Sequence, residues 1–537
     1  MLIDLSDLSG PQSRETEICI IGAGAAGLTL ARRLLQLGHE LILLESGGDE
    51  YEAATADLNA GENVGEDYYD LDHARLRFFG GTTAIWGGRC AELDPIDLEE
   101  RPWLPFSGWP ISHEELRRYY REARPLLDLP EEAENVDVLR EAGVPIPDFD
   151  EDRLSVPVWS FDARYNRFGI GACADLVDDR RCTIILHATA TEILADPAGK
   201  SIERVLAKSP SGTELDVRAR IVILAAGGIE NPRILLASRS IIPNGLGNDH
   251  DLVGRFFMEH PHARGGRIVD AKAWPLLKAF GGRHRLGRRD LAALIAPAAK
   301  LQAERQILNS SLTIVGRQPE QARLFWGMRA YGALKHRTAP TKGGRRLWTT
   351  TKRAVGLIQR AVDPFRPWLL HKAGRLDVAL LVRAEQAPNP DSRVTLGTET
   401  DALGTPRVKL DWRLSPIDVR SVEALVQALG DELERLGLGK VEPASWLKEG
   451  NGWRTDPLIS AHPIGGYHHM GTTRMADGPR SGVTDADTRV HGIANLYIAG
   501  SSLFPTSGWA NPTLTIVALA LRTADKVSAE LRKGAAR

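Results

Sequence analysis

Cysteine is scarce, with 4 residues in a chain of 537: Cys19, Cys90, Cys173 and Cys182. None belongs to a Cys-x-x-Cys pair or lies beside a histidine pair, so neither a zinc site nor a disulfide framework is supported, and no metal is expected. Cys19 lies inside an apolar run and reads as a small buried thiol. An excess of either charge is also missing. The net charge of -3 gives nucleic acid no electrostatic foothold as a partner. No apolar run reaches the ~20 residues that span a bilayer. The longest candidate, Leu514 to Leu521, leads straight into Arg522 and Asp525, so an integral membrane protein is not expected. The opening MLIDLSDLSGPQSRETE lacks a charged n-region, an apolar h-region and a twin-arginine pair. A cytoplasmic location follows as the expectation, or a periplasmic one if a signal-bearing partner carries the chain. Internal repeats and low-complexity tracts are lacking as well.

Among the features present, residues 17–48 carry the clearest pattern. A β-prone run, Glu17 to Ile21, meets Gly22-x-Gly24-x-x-Gly27, and an amphipathic helix follows with Leu28, Ala31, Leu34 and Leu35 on one face. Gly38 ends that helix, and His39 to Leu44 forms a second strand ending in Glu45. Gly22 permits the tight turn, Gly24 lets backbone approach a pyrophosphate, and Gly27 lets the helix pack on the strand. The helix N-terminus, with Ala25 and Ala26, offers free N–H groups to an anion. Glu45 stands at the spacing of a ribose-binding acid. This order predicts a dinucleotide site but leaves NAD and FAD both open.

Further strands are expected at Cys182 to Leu194, Ile202 to Ala207, Leu215 to Val217 and Ala219 to Gly228. The last breaks at Ala225-Ala226-Gly227-Gly228, where small residues let backbone pass close to a ligand. A helix is expected from about Asn231. The loop Phe78 to Arg89, with Gly81, Thr82, Trp86 and Gly87, supplies backbone donors and an aromatic wall. Near the C-terminus, Asn495 to Gly500 reads as a short strand followed by Ser501, and Asn511-Pro512-Thr513 opens a long apolar helix. The positive end of that helix suits the charge that develops on a reduced flavin. His468 and Asn511 are residue types suited to an alcohol: one accepts the hydroxyl proton and the other holds the oxygen. Asn511 is equally a good N-cap.

Five segments resemble the glucose–methanol–choline (GMC) oxidoreductase family, in its pyranose-oxidase-like branch. They are IIGAGAAG at Ile20–Gly27, GGTTAIWGG at Gly80–Gly88, VGRFFMEHP at Val253–Pro261, GGYHHMGTTRM at Gly465–Met475 and GSSLFPTSGWANPTLT at Gly500–Thr515. The resemblance implies an α/β fold: a Rossmann-like FAD-binding domain assembled from discontinuous segments, plus an α+β substrate domain with an antiparallel sheet. It places FAD-binding parts at 1–140, 181–265 and 456–537, and the substrate domain at 141–180 and 266–455. It implies His468 as general base, Asn511 as the second active-site residue and flavin N5 as hydride acceptor. The cofactor would be held by Gly22, Gly24, Ala25, Ala26, Gly27, Glu45, Gly81, Thr82, Trp86 and Gly87, and further by Ala226, Gly227, Gly500, Ser501, Asn511, Pro512 and Thr513. Ile85 stands where some relatives carry a flavin-linking histidine, so FAD is expected to be non-covalent.

The expected substrate is a sugar, glycoside or related polyol oxidised at a secondary hydroxyl, with oxygen, a quinone or a redox protein accepting the electrons. Two alternatives stay open: a non-redox lyase of the same family, and a dehydrogenase subunit feeding a quinone or cytochrome partner. In the middle of the chain, Ser415 to Leu438 reads as a capped amphipathic helix with Val422, Leu425, Val426, Leu429 and Leu433 on one side. Residues 342–375 hold nine Lys or Arg and one acid, Asp363, among apolar residues. Such a segment reads as a membrane-surface or partner-subunit contact, or as an insertion packed on its own protein.

Overall fold

Ile18, Cys19, Ile20 and Ile21 are all buried, and the first sheet is built around the strand that carries them, Gln12–Ile21. A computed structural model describes residues 1–164, 166–320, 343–450 and 452–535. Gln12–Ile21 pairs in parallel with Leu41–Leu44 on one side and with Glu214–Leu224 on the other. Leu41–Leu44 continues to Cys182–Leu186, and that strand to Leu2–Asp4, both in parallel. The C-terminal half of Glu214–Leu224 pairs in parallel with Leu496–Ile498. Its N-terminal half begins an antiparallel meander through Ile202–Lys208 and Thr189–Ala195. The parallel centre is almost continuously apolar, as a sheet covered on both faces must be. Two helices, Ala25–Gln36 and Thr513–Ala535, pack against one another, tied by Arg33 to Asp525 at 2.8 Å.

Two expectations about strands need correction. The single run Cys182 to Leu194 is broken at His187, which takes φ 51°. Its ring bonds Asp4 and Glu52 at 2.8 and 2.7 Å, and the strands on either side pair with different neighbours, Leu41–Leu44 before the break and Ile202–Lys208 after it. Conversely, Leu215–Val217 and Ala219–Leu224 are one strand, because both faces of its second half are buried.

A second, wholly antiparallel sheet runs in the order Ser311–Arg317, Asp377–Arg383, His262–Val269, Lys440–Pro443. Side chains alternate faces along each strand. Leu312, Ile314, Val378, Leu380 and Val382 point into a core shared with helix Pro416–Arg435. That helix buries all five residues expected on its inner side, and Ser415 with Asp418 forms a capping box at its start. Thr313, Val315, Arg317, Leu381 and Arg383 line the cavity described below. A third sheet joins Arg89–Cys90 and Val158–Phe161 to Arg289–Ala293 and His284–Leu286.

The basic segment forms helices Gly344–Val362 and Phe365–Lys372, with Lys342 outside the described residues. Residues 165, 321–342 and 451 of the expected substrate range also lie outside them. The segment's apolar residues divide. Trp348 is buried against Ile85, and Trp368 meets Trp274 at 5.6 Å, whereas Leu357 and Ile358 are exposed. Among the described residues no helix is long and apolar enough to cross a membrane. All four cysteines are free and buried.

Candidate active site

One cavity of about 940 Å3 runs from the glycine-rich turn to His468. It lies in the upper part of the range for ligand sites, as an extended dinucleotide and a second molecule would need. Every candidate site residue except Gly27 lines it. Gly22 takes φ +108°, and a Cβ there would sit 2.7 Å from the Ala225 carbonyl oxygen. A Cβ on Gly24 would meet nothing, so this backbone opens onto the cavity at the start of helix Ala25–Gln36. That is a cradle shaped for a phosphate. Gly27 stands behind it: a Cβ would fall 1.9 Å from the Gly22 carbonyl oxygen. Gly27 thus packs helix on turn and does not itself line the cavity. Glu45 is buried at the cavity wall, where Ala23 N–H and Gly47 N–H donate to its two carboxylate oxygens at 2.9 and 3.0 Å. Each oxygen keeps a lone-pair direction for a ribose hydroxyl. Ser46, Asn59 and Arg77, unread in the sequence, complete this end, with Arg77 donating to Ser46 Oγ at 3.0 Å and pairing with Glu230 at 3.0 Å.

At the other end the turn Ser507–Ala510 delivers Asn511 beside His468, their Nδ2 and Nε2 atoms 3.2 Å apart. Asn511 thus spends its side chain on the histidine rather than on the helix cap. Pro512 precedes the helix, its carbonyl accepting from Ile516 N–H at 2.8 Å. On its other side, His468 Nδ1 lies 2.8 Å from Nδ1 of His260, whose Nε2 lies 3.3 Å from the Ser507 carbonyl oxygen. A carbonyl only accepts, so His260 Nε2 carries the hydrogen and its Nδ1 is an acceptor. His468 Nδ1 must then donate, which leaves a lone pair on His468 Nε2. This tautomer is assigned from the network of partners.

Burial keeps both rings neutral. It pushes His260 down to about 4, and it holds His468 well below the ordinary histidine value, with His260, His262, His469 and Arg89 adding to the effect. Glu259, fully buried, fixes the backbone of this cluster, accepting from His468 N–H at 2.9 Å, Gly466 N–H at 3.1 Å, His260 N–H at 2.8 Å and Tyr68 Oη at 2.6 Å. A Cβ on Gly228 would fall 2.1 Å from the His469 carbonyl oxygen, so this glycine lets the end of the first sheet approach the histidine segment. At this end Glu259 and His260 are the residues that sequence reasoning missed. They sit inside VGRFFMEHP, where nothing local marks them as neighbours of His468, 208 residues away.

Protein-family models match the chain in two stretches: FAD dependent oxidoreductase over residues 17–242 and GMC oxidoreductase over residues 388–520. The chain is 23% identical to the fructose dehydrogenase large subunit of Gluconobacter japonicus, covering 97% of this chain and 99% of that one. It is 25% identical to 6'''-hydroxyparomomycin C oxidase of Streptomyces lividus, covering 97% and 93%. Among solved structures, formate oxidase superposes with a TM-score of 0.55 at 19% identity, covering 98% of this chain and all of that one. A fungal aryl-alcohol oxidase does so at 0.54 and 15%, covering 96% and 99%.

Proposed function

Because the chain belongs to the GMC oxidoreductase family and is an FAD-dependent enzyme, we propose that it oxidises a secondary hydroxyl of a sugar, glycoside or related polyol. The observation that carries this reading is the relay Ser507–His260–His468, which makes His468 Nε2 an acceptor at the cavity, met by the Asn511 amide at 3.2 Å in a contact that a hydroxyl oxygen would replace. His468 Nε2 takes the hydroxyl proton, and Asn511 Nδ2 donates to the same oxygen and fixes which hydroxyl is presented. His468 keeps its Nδ1 hydrogen on His260 throughout, so the ring stays in one orientation as it gains charge. Gly22, Gly24, Ala25 and Ala26 would hold the cofactor's diphosphate, and Glu45 its ribose. The helix that begins at Thr513 lines the same cavity with its positive end, which would stabilise charge on a bound isoalloxazine. FAD bound along this cavity supplies the hydride acceptor.

The relatives named as a fructose dehydrogenase large subunit and a 6'''-hydroxyparomomycin C oxidase support the sugar or polyol class. Residues 1–140, 181–265 and 456–537 make the cofactor half, and 141–180 and 266–455 the substrate half, with strand His262–Val269 crossing between them. FAD is held without a covalent bond, since Ile85 offers no nucleophile and is packed under Trp348. Acid precipitation is therefore expected to leave the yellow colour in the supernatant; colour in the pellet would overturn that point. The four buried free cysteines suit a reducing cytoplasm.

Anaerobic mixing of the yellow protein with sugars, glycosides and simple alcohols tests the function. Bleaching by a polyhydroxylated substrate is the expected result, and the reoxidant that restores the band (oxygen, a quinone or a redox protein) names the acceptor. His468→Ala is expected to lower the bleaching rate by about 10²–10⁴-fold. A variant that keeps more than about a tenth of the rate would remove His468 from its role.

A further inference from the structure

The cavity wall facing the substrate carries far more positive charge than its acids can balance. Away from the nucleotide cradle it is lined by Arg89, Arg283, Arg317, Lys352, Arg366 and Arg383, and the only carboxylate among the described residues there is Asp363. The residues outside the described range hold no Asp or Glu at all.

Arg383 and Arg317 matter most, because among the described residues their hydrogen bonds go to neutral groups and the one carboxylate that acts on Arg317, Asp363, is shared with Arg366. Arg383 donates to Thr313 Oγ1 at 3.2 Å, and its guanidinium lies 5.0 Å from the Trp159 ring. Arg317 donates to the carbonyls of Ile459 and Gly316 at 2.7 and 3.0 Å. Arg89 closes on the same Trp159 ring at 5.1 Å from the third sheet. All three are at most partly exposed, and burial together with like-charged neighbours pushes Arg383 and Arg317 below their ordinary value. Burial pushes Asp363 the other way, towards its neutral form. Desolvated cations that oppose one another are a cost the fold does not need, and such costs collect where a ligand relieves them.

The ligand relieved here is not the cofactor's diphosphate. The phosphate cradle belongs to the first sheet, and the arginines at that end, Arg75 and Arg77, already pair with Glu230 at 3.4 and 3.0 Å. Arg317 and Arg383 stand on the second sheet. Arg383 pairs across the strands with His262, two residues beyond the His260 that bonds His468. Trp159, under both Arg383 and Arg89, lies 6.4 Å from Trp509, two residues before Asn511. The charge is therefore built beside the catalytic pair.

We propose that the hydroxyl-bearing substrate also carries an oxyanion (a carboxylate, a phosphate ester or a sulfate ester) and that Arg383, Arg317 and Arg89 bind it while His468 and Asn511 hold the reacting hydroxyl. This rests on the sugar or polyol reading above and narrows it to uronates, aldonates, sugar phosphates or sugar sulfates. The planar guanidinium fork matches such groups, and Trp159 stiffens two of the three.

The test is isothermal titration of the FAD-loaded enzyme at low salt with glucose, glucuronate, glucose 6-phosphate, glucose 6-sulfate, and inorganic phosphate and sulfate alone. Alongside it, the same sugars are mixed anaerobically and the flavin band followed. At least one oxyanion is expected to bind tenfold or more tighter than glucose, with affinity falling steeply as salt is added. The tightest anionic sugar tells carboxylate from phosphate and sulfate. Arg383→Gln should erase the preference while leaving glucose binding unchanged, and Arg383→Lys should restore part of it. If Arg383→Gln loses its FAD, Arg317→Gln carries the same expectation. Equal binding of glucose and every anion, or anion binding that both glutamine variants keep, overturns the proposal. Bleaching reads out separately: a neutral sugar that bleaches while no anion is preferred sinks this inference and leaves the proposed function standing. An anion held by these arginines while no sugar, charged or neutral, bleaches the flavin sinks the proposed function and, with it, the oxyanion as part of the substrate.

Discussion

A lone pair on His468 Nε2 depends on a hydrogen held one side chain away. His260 takes the His468 Nδ1 hydrogen at 2.8 Å, and its own hydrogen is committed to the Ser507 carbonyl. His260 is thus a positioning residue. His260→Phe removes the acceptor and frees His468 to carry its hydrogen on either nitrogen. kcat should fall on the order of 10²-fold with KM little changed, by analogy with the outer partners that orient functional histidines. His260→Asn presents an amide oxygen near the same place and should recover most of the loss, which a purely structural role would not predict. The pH profile of kcat/KM gives an independent check. His468 works as the neutral ring, and burial lowers its value from the ordinary 6.5, so activity should be flat from pH 8 down to about 6.5 and fall only below it. An acid limb centred at or above pH 7 would contradict the desolvated relay.

At the scale of elements, two close approaches hold the site together, and both are made by glycine. Gly27 seats helix Ala25–Gln36 on the turn that cradles phosphate, and Gly228 seats the His468–His469 segment on the end of strand Glu214–Leu224. Gly27→Ala forces a carbon into the 1.9 Å gap to backbone and should cost about 1–3 kcal/mol or more and most of the bound FAD. A thermal melt and the ratio of visible to ultraviolet absorbance read both. An unchanged ratio would mean that the turn has room to shift. These elements also divide what the sequence reveals from what it hides. Strand, glycine turn, helix and Glu45 lie within one stretch of chain, so their order alone predicts the cradle. The helix Pro416–Arg435 announces itself through its cap and its apolar stripe. The break at His187 escapes periodicity, because its cause is two carboxylates, Asp4 and Glu52, remote in the chain. The same limit hides His260, Glu259 and Arg383: each is an ordinary residue in its own segment and gains its meaning only from the segment folded against it.

For the whole molecule, the question is what joins the first sheet's C-terminal loop to the second sheet. Glu385, just past strand Asp377–Arg383, is fully buried and accepts from Arg101 at 2.8 and 2.6 Å, from Asn309 N–H at 2.7 Å and from Gly508 N–H at 3.3 Å. One carboxylate thereby ties four distant segments, including the turn that delivers Asn511. Its worth for stability and its worth for catalysis separate in a mutant cycle. Glu385→Ala leaves Arg101 buried and unpaired and should cost about 3–5 kcal/mol. Replacing both partners by methionine removes the stranded charge and should return most of that stability, since a well-packed apolar pair does as well as a buried ion pair. The rate should not return with it. Gly508 N–H still lacks its acceptor, the Ser507–Asn511 turn loses its anchor, and a shift of a fraction of an ångström at Asn511 suffices to slow a positioned reaction. Melting temperature and kcat measured on the two variants decide the matter: recovery of both together in the double variant would make Glu385 a structural partner of Arg101 alone, whereas recovered stability with a rate still down tenfold or more assigns it the placement of Asn511 as well.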